Sequence, residues 1–159
     1  MKLATHIAVG FSLAAAVSLI LGCSAACSWY TGFSAAVVNI AIDMLGHEVR
    51  GGWPRRTAFS HSLFGPLVYS TAFILPVLLA PPREAAAAAT SILVGSYSHL
   101  LLDAVTEGGI YLYWPLSRKR WRIAGYRYNH PLLNSLAAVA SAALLLAAVT
   151  ARLGLPPRL

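Results

Sequence analysis

Charge is what this sequence has least of. Of 159 residues only five are acidic, and 11% are charged in all, where a soluble domain carries about a quarter. That excludes an ordinary water-soluble fold. Cysteine is almost as scarce. Cys23 and Cys27 are the two present. They have no metal-ligand company nearby, which excludes a disulfide framework and a zinc-finger module. The net charge is +7, yet no helix-turn-helix pattern and no interleaving of basic with aromatic residues supports a nucleic-acid partner. The basic residues are therefore read against a bilayer.

Apolar residues are abundant instead. They make up 58% of the chain, and the mean hydropathy is +0.66. This is the composition of a polytopic membrane protein, and the length allows one domain over residues 1–159. Five stretches approach the roughly 20 residues that cross a hydrocarbon core: 3–22, 30–47, 62–80, 85–107 and 131–151. The expected fold class is therefore all-α, a membrane bundle of about five transmembrane helices. Ile20-Leu21-Gly22-Cys23 resembles a lipobox. One lysine before it, an early His6 and the membrane-like remainder of the chain favour a first spanning helix over a leader cleaved at Cys23.

Basic residues set the orientation. With five spans, one side receives Lys2, Arg50, Arg55, Arg56, Arg118, Lys119, Arg120, Arg122 and Arg127. The other receives Arg83, Arg152 and Arg158. The expectation is a cell-membrane protein with its N-terminus cytoplasmic and its C-terminus outside. The 108–130 loop, with Trp114, Trp121 and several tyrosines among its cations, reads as an interfacial segment over anionic headgroups, so membrane lipids are its first expected partners.

The polar residues sort by depth. His6 lies about one turn into the first span, Asp43 and His47 end the second, and His61 begins the third. His99, Asp103 and Glu107 end the fourth, and His130 begins the fifth. All five histidines and three of the acids thus fall near one membrane face. The helical rows agree: His6, Gly10, Ala14 and Ser18; Thr31, Ala35, Asn39, Asp43 and His47; Ser91, Gly95, His99, Asp103 and Glu107. Residues four apart share a face, and each polar residue continues into small ones that permit close packing.

Imidazole with carboxylate is ligand chemistry for a divalent first-row metal, zinc above the others. His6, Asp43, His61, His99 and Asp103 are the candidate ligands. Asp43 or Glu107 is the candidate catalytic base, and Arg55 and Arg56 are placed to grip an anionic or phosphoester substrate. A single histidine at a membrane boundary is more often a hydrogen-bonded residue than a ligand, and His47 and His130, at helix edges, are read as bystanders. Ser60 and Ser62 read as caps. Arg118 to Arg122 reads as a surface anchor. A carrier or channel using the same rows as an ion path is the rival reading, as is a partner-binding membrane protein. The outer half of the bundle, mostly Ala, Leu, Val and Ile, gives poor polar continuity for the carrier.

Several motifs resemble the YdjM-like family. They are Thr5-His6, Asp43, Phe59-Ser60-His61-Ser62 after a basic pair, and Ser98-His99-Leu-Leu-Leu-Asp103. Thr106 and a Gly-Ile-x-Leu-x-Trp-Pro tail follow. The resemblance covers about residues 5–116. It implies an inner-membrane-associated protein labelled a metal-dependent hydrolase, one member being described as LexA-binding. The family's Asp-x-Asp-type element at the second helix is reduced here to Asp43. A more distant likeness is to zinc-dependent phospholipase C, whose ligand order His, Asp, His, His-x3-Asp is followed by His6, Asp43, His61, His99 and Asp103. Its last His-x3-Glu pair would fall on His130 and Asn134, so the resemblance implies fewer metals here.

Overall fold

A computed structural model of the chain describes residues 1–154. It is essentially all-helical: α1 (Leu3–Ile20), α2 (Ala25–Leu45), α3 (Phe64–Val77), α4 (Pro82–Ala104) and α5 (Pro131–Arg152), with one short hairpin, β1 (His47–Arg50) and β2 (Trp53–Arg56), between α2 and α3. Four of the helices, all but α3, are long and apolar enough to cross a bilayer.

Local chemistry sets the ends. Ser24 caps α2 by accepting from the Cys27 amide at 3.2 Å, so α2 starts earlier than the apolar run predicts. The α4 helix starts at Pro82 with Glu84 in its first turn, where proline has no amide to lose and an acid meets the positive helix end. Pro131 opens α5 in the same way, and the His130 ring accepts from the Leu133 amide.

The third segment is shorter than expected. Ser62 Oγ accepts from the Phe64 amide, so the helix starts two residues late. Pro76, which lacks an amide, stands one residue before its end. Residues 78–80 then finish in turns bonded three residues back. The 14 residues of α3 span roughly 21 Å at 1.5 Å per residue.

The helices alternate in direction. Ser24, at the start of α2, bonds Glu84, at the start of α4. Lys2 and Thr5, at the start of α1, bond Asn134, at the start of α5. Tyr30 near the start of α2 bonds the Phe73 carbonyl near the end of α3. The starts of α1 and α5 therefore share one end of the bundle with the ends of α2 and α4.

The packing inverts that of a soluble protein. The interior is rich in small residues, Ala14, Ala15, Ala16, Ala35, Ala36, Ala87, Ala88 and a set of serines and threonines, with Val38, Ile42 and Ile92 among them. Leu67, Val68, Leu75, Leu132, Leu136, Val139 and Leu146 stand outside. A surface of this kind belongs in lipid, where small residues let helix backbones approach. Helix α1 is central, packed on α2, α4 and α5. One of its tight crossings is at Gly95, where an added Cβ would lie 2.6 Å from the Gly10 carbonyl and 2.7 Å from the Ala14 and Ala35 methyls. Gly95→Ala is expected to destabilise the bundle by about 1–3 kcal/mol, read as a lowered Tm in detergent. Gly125→Ala, with open space around it, should leave the Tm unchanged.

Candidate metal centre

The functional side chains are held at the same end of the bundle by four elements. His6 comes from the first turn of α1, Asp43 from the last turn of α2, and His99 and Asp103 from the last two turns of α4. His61 comes from the turn before α3. Its amide donates to the Thr57 carbonyl, and its carbonyl accepts from the Tyr111 amide at 2.8 Å. His6, His61, His99 and Asp103 are fully buried. Asp43 is 16% exposed at its side chain.

The Asp103 carboxylate is the hub. Its Oδ1 faces His6 Nε2 at 3.2 Å, Arg56 Nη2 at 2.7 Å and the Met1 amino group at 2.5 Å. Its Oδ2 faces His99 Nε2 at 3.4 Å and His61 Nε2 at 3.6 Å, with no hydrogen-bond partner. His99 Nε2 lies 3.7 Å from Asp43 Oδ1. The His6 and His99 rings stack with centroids 3.9 Å apart.

The proton positions follow from Asn39. Its Nδ2 donates to the carbonyls of Ala35 at 2.7 Å and Gly95 at 3.1 Å. That orientation leaves Oδ1 facing His99 Nδ1 at 3.2 Å. An amide oxygen only accepts, so His99 carries its proton on Nδ1. Nε2 is then a bare lone pair, and it is unpartnered. A lone pair aimed at carboxylates across 3.4 and 3.7 Å is repulsive unless a proton or a cation stands between them.

The separations carry the same message. Bonds of about 2.1 Å in a tetrahedron put ligand atoms roughly 3.4 Å apart. Most of the imidazole–carboxylate distances here, 3.4 to 3.7 Å, exceed hydrogen bonds and match that edge. Three overlapping groups have ligand atoms within 4.8 Å of one another: His6–Asp43–His99, Asp43–His47–His61 and His61–His99–Asp103. The donor set fits a divalent cation.

The hairpin supplies the cations. Gly51 and Gly52, both with positive φ, turn it and pair His47 with Arg56 and Glu48 with Arg55. The Thr57 amide closes its base on the Gly46 carbonyl at 2.8 Å. Arg56 then reaches in over Gly108, where a Cβ would strike its guanidinium, and donates to the Gly109 carbonyl at 2.8 Å and Thr106 Oγ1 at 3.3 Å. A cleft of about 830 Å³ opens from the cluster, lined among others by Asp43, His47, Arg55, Arg56, Glu107 and Arg120.

All five side chains expected as ligands converge. Arg56 contacts Asp103 directly, while Arg55 stands exposed on the cleft wall. Glu107 does not join the cluster. The helical row ends at Ala104, where Thr106 Oγ1 donates to the Asp103 carbonyl at 2.9 Å, and the exposed Glu107 lies at the cleft. Ser62 caps α3, and Ser60 bonds Thr57.

His130 stays outside as an α5 cap. His47, read as a bystander, does belong to the cluster. The signal was its four-residue spacing from Asp43, the same spacing that links His99 to Asp103. Asn39 and Arg120 were also missed as site residues. Asn39 looked like one more small polar packer, and Arg120 was hidden in a basic run. Its Nε donates to the Tyr111 hydroxyl at 3.0 Å.

A polytopic helical bundle that buries a His–Asp cluster at one end is thus the class of protein defined by fold and site. The chain belongs to the YdjM inner membrane protein family, whose model matches residues 1–155. No curated protein and no solved structure matches it.

Burial, with the neighbouring His99 adding to it, pushes the His61 pKa down to about 2. The folded protein therefore holds His61 neutral, whereas the unfolded chain binds a proton below about 6.5. Stability is fully present above pH 6.5 and declines as the pH falls toward the folded value, by up to about 1.4 kcal/mol per unit for this group. Metal-free protein titrated from pH 7.5 to 5 should lose stability to denaturant. His61→Gln should flatten that decline; an unchanged slope would remove His61 as its source.

Proposed function

We propose that this protein is a membrane-embedded, metal-dependent hydrolase of an ester or phosphoester, with a lipid-derived substrate at the bilayer surface. The observation that carries the reading is the His99 Nε2 atom, fixed by Asn39 and aimed at two carboxylates with no hydrogen bond to either. His6, His61, His99, Asp43 and Asp103 hold a divalent cation, zinc by preference for this imidazole and carboxylate set. Such a cation supplies Lewis acidity, lowering the pKa of a water and polarising the bond to be cleaved.

The protein's own residues do the rest. With Asp43 taken up as a ligand, the exposed Glu107 on the cleft wall is the carboxylate left to take a proton from the attacking water. Arg55 and Arg56 present guanidinium donors to an anionic group, which they bind with planar geometry. Asn39 orients His99 from behind, as outer-shell partners of metal ligands do. The nine basic residues assigned to the site end by sequence put that end, with the N-terminus, on the cytoplasmic side and the C-terminus outside.

The carrier reading finds less support. Below the cluster the buried hydroxyls of Ser18, Thr31 and Ser91 bond carbonyls of their own helices, and alanines separate them.

Purified protein is expected to contain tightly bound divalent metal by elemental analysis, and His99→Ala to lose most of it. Asn39→Ala should retain the ligands but bind zinc roughly 10–100-fold more weakly. Hydrolysis of a chromogenic phosphodiester or of a vesicle phospholipid should follow metal content across these variants. Native protein without metal, taking up none from zinc or manganese solutions, would end the reading.

A further inference from the structure

The cluster contains more ligands than one ion uses. A structural or catalytic zinc takes three or four protein ligands, and six candidates converge here: His6, Asp43, His47, His61, His99 and Asp103. One group, His61–His99–Asp103, joins the two sides of the cluster, and the other two separate. The groups His6–Asp43–His99 and Asp43–His47–His61 share no imidazole. Asp43 alone is common to both, and a carboxylate has two oxygens.

His47 is prepared for such a role. Its Nδ1 lies 2.6 Å from the Asp43 backbone carbonyl. A carbonyl accepts, so the proton sits on Nδ1 and Nε2 is left as a lone pair. That is the arrangement in which a metal-ligating histidine donates its other N–H to a carbonyl. The His47 and His61 rings meet edge to face, with centroids 5.3 Å apart. His61 has neither ring nitrogen hydrogen-bonded although it is fully buried. A neutral imidazole in that position has a donor and an acceptor both unmet. A cation on one nitrogen removes one of those deficits.

We propose that the site is dinuclear. An inner divalent cation lies on His6, His99 and Asp103. An outer one, facing the cleft, lies on His47 and His61, and Asp43 bridges the two. The inference rests on the metal-centre reading above and deepens it. Two cations about 3.5–4 Å apart form a clamp for the attacking and leaving oxygens of an in-line displacement. With Arg55 and Arg120 on the same cleft wall, this narrows the substrate class to phosphoesters over carboxylic esters.

The test counts ions and does not depend on turnover. Metal-free protein in detergent is reloaded with Mn²⁺ and desalted, and manganese per chain is measured with the electron paramagnetic resonance spectrum. Wild type should hold two ions with an exchange-coupled signal. His47→Ala, at an exposed position, should hold one ion with an uncoupled six-line signal and an unchanged Tm for the metal-free form. Asp43→Asn should also lose the coupling. One ion per wild-type chain, or two coupled ions persisting in His47→Ala, would overturn the dinuclear site while leaving a metal centre in place. No ion in wild type would overturn the metal-centre reading itself.

Discussion

Three helices meet where Gly10, Asn39 and Gly95 touch, and the candidate site is built on that contact. The amide of Asn39 donates to a carbonyl of its own helix and to Gly95 of α4, and it fits because Gly10 of α1 has no side chain. In a lipid environment, with no water to compete, a buried amide must find all its partners inside the protein. The bond to Gly95 holds α2 against α4. A third bond sets the tautomer of His99. One side chain thus joins the packing of the bundle to the chemistry of its end.

The rest of the interior follows the same constraint. The interior is rich in small residues, with a few larger apolar side chains such as Ile42 and Ile92 among them. Cohesion comes from close backbone approach and from buried polar bonds between helices, such as Ser70 to Ser96. The large side chains that would fill a soluble core face outward. At the site end the rule is suspended. Asp103 Oδ2 and three ring nitrogens of His61 and His99 are buried without hydrogen bonds, a concentration of unmet polar atoms of the kind that marks a ligand site.

Much of this was legible in the sequence, for reasons of period and depth. Small residues in four-residue rows placed Gly10, Ala35 and Gly95 on facing surfaces. The shared membrane depth of His6, Asp43, His61, His99 and Asp103 placed them at one end, and the structure brings their side chains together. What escaped was local. The Gly51–Gly52 turn makes a hairpin that pairs His47 with Arg56, and a period-based reading saw a plain loop there. The α4 row extrapolated through Glu107 failed because the helix stops at Ala104, capped by Thr106. The short α3 reflects Ser62 and Pro76, single residues whose hydrogen bonding outweighs a run of apolar neighbours. His47 was undervalued because its position at a helix edge was weighed above its spacing from Asp43.

The order of the ligands along the chain bears on how the protein is made. His6 belongs to α1, whereas His99 and Asp103 belong to α4. An N-terminal portion of the chain carries a histidine and an aspartate into the membrane boundary with their counterparts not yet synthesised. Until α4 packs against α1 and α2, His6 on the central helix lacks the His99 and Asp103 that face it. Completion of the centre therefore requires the docking of α4.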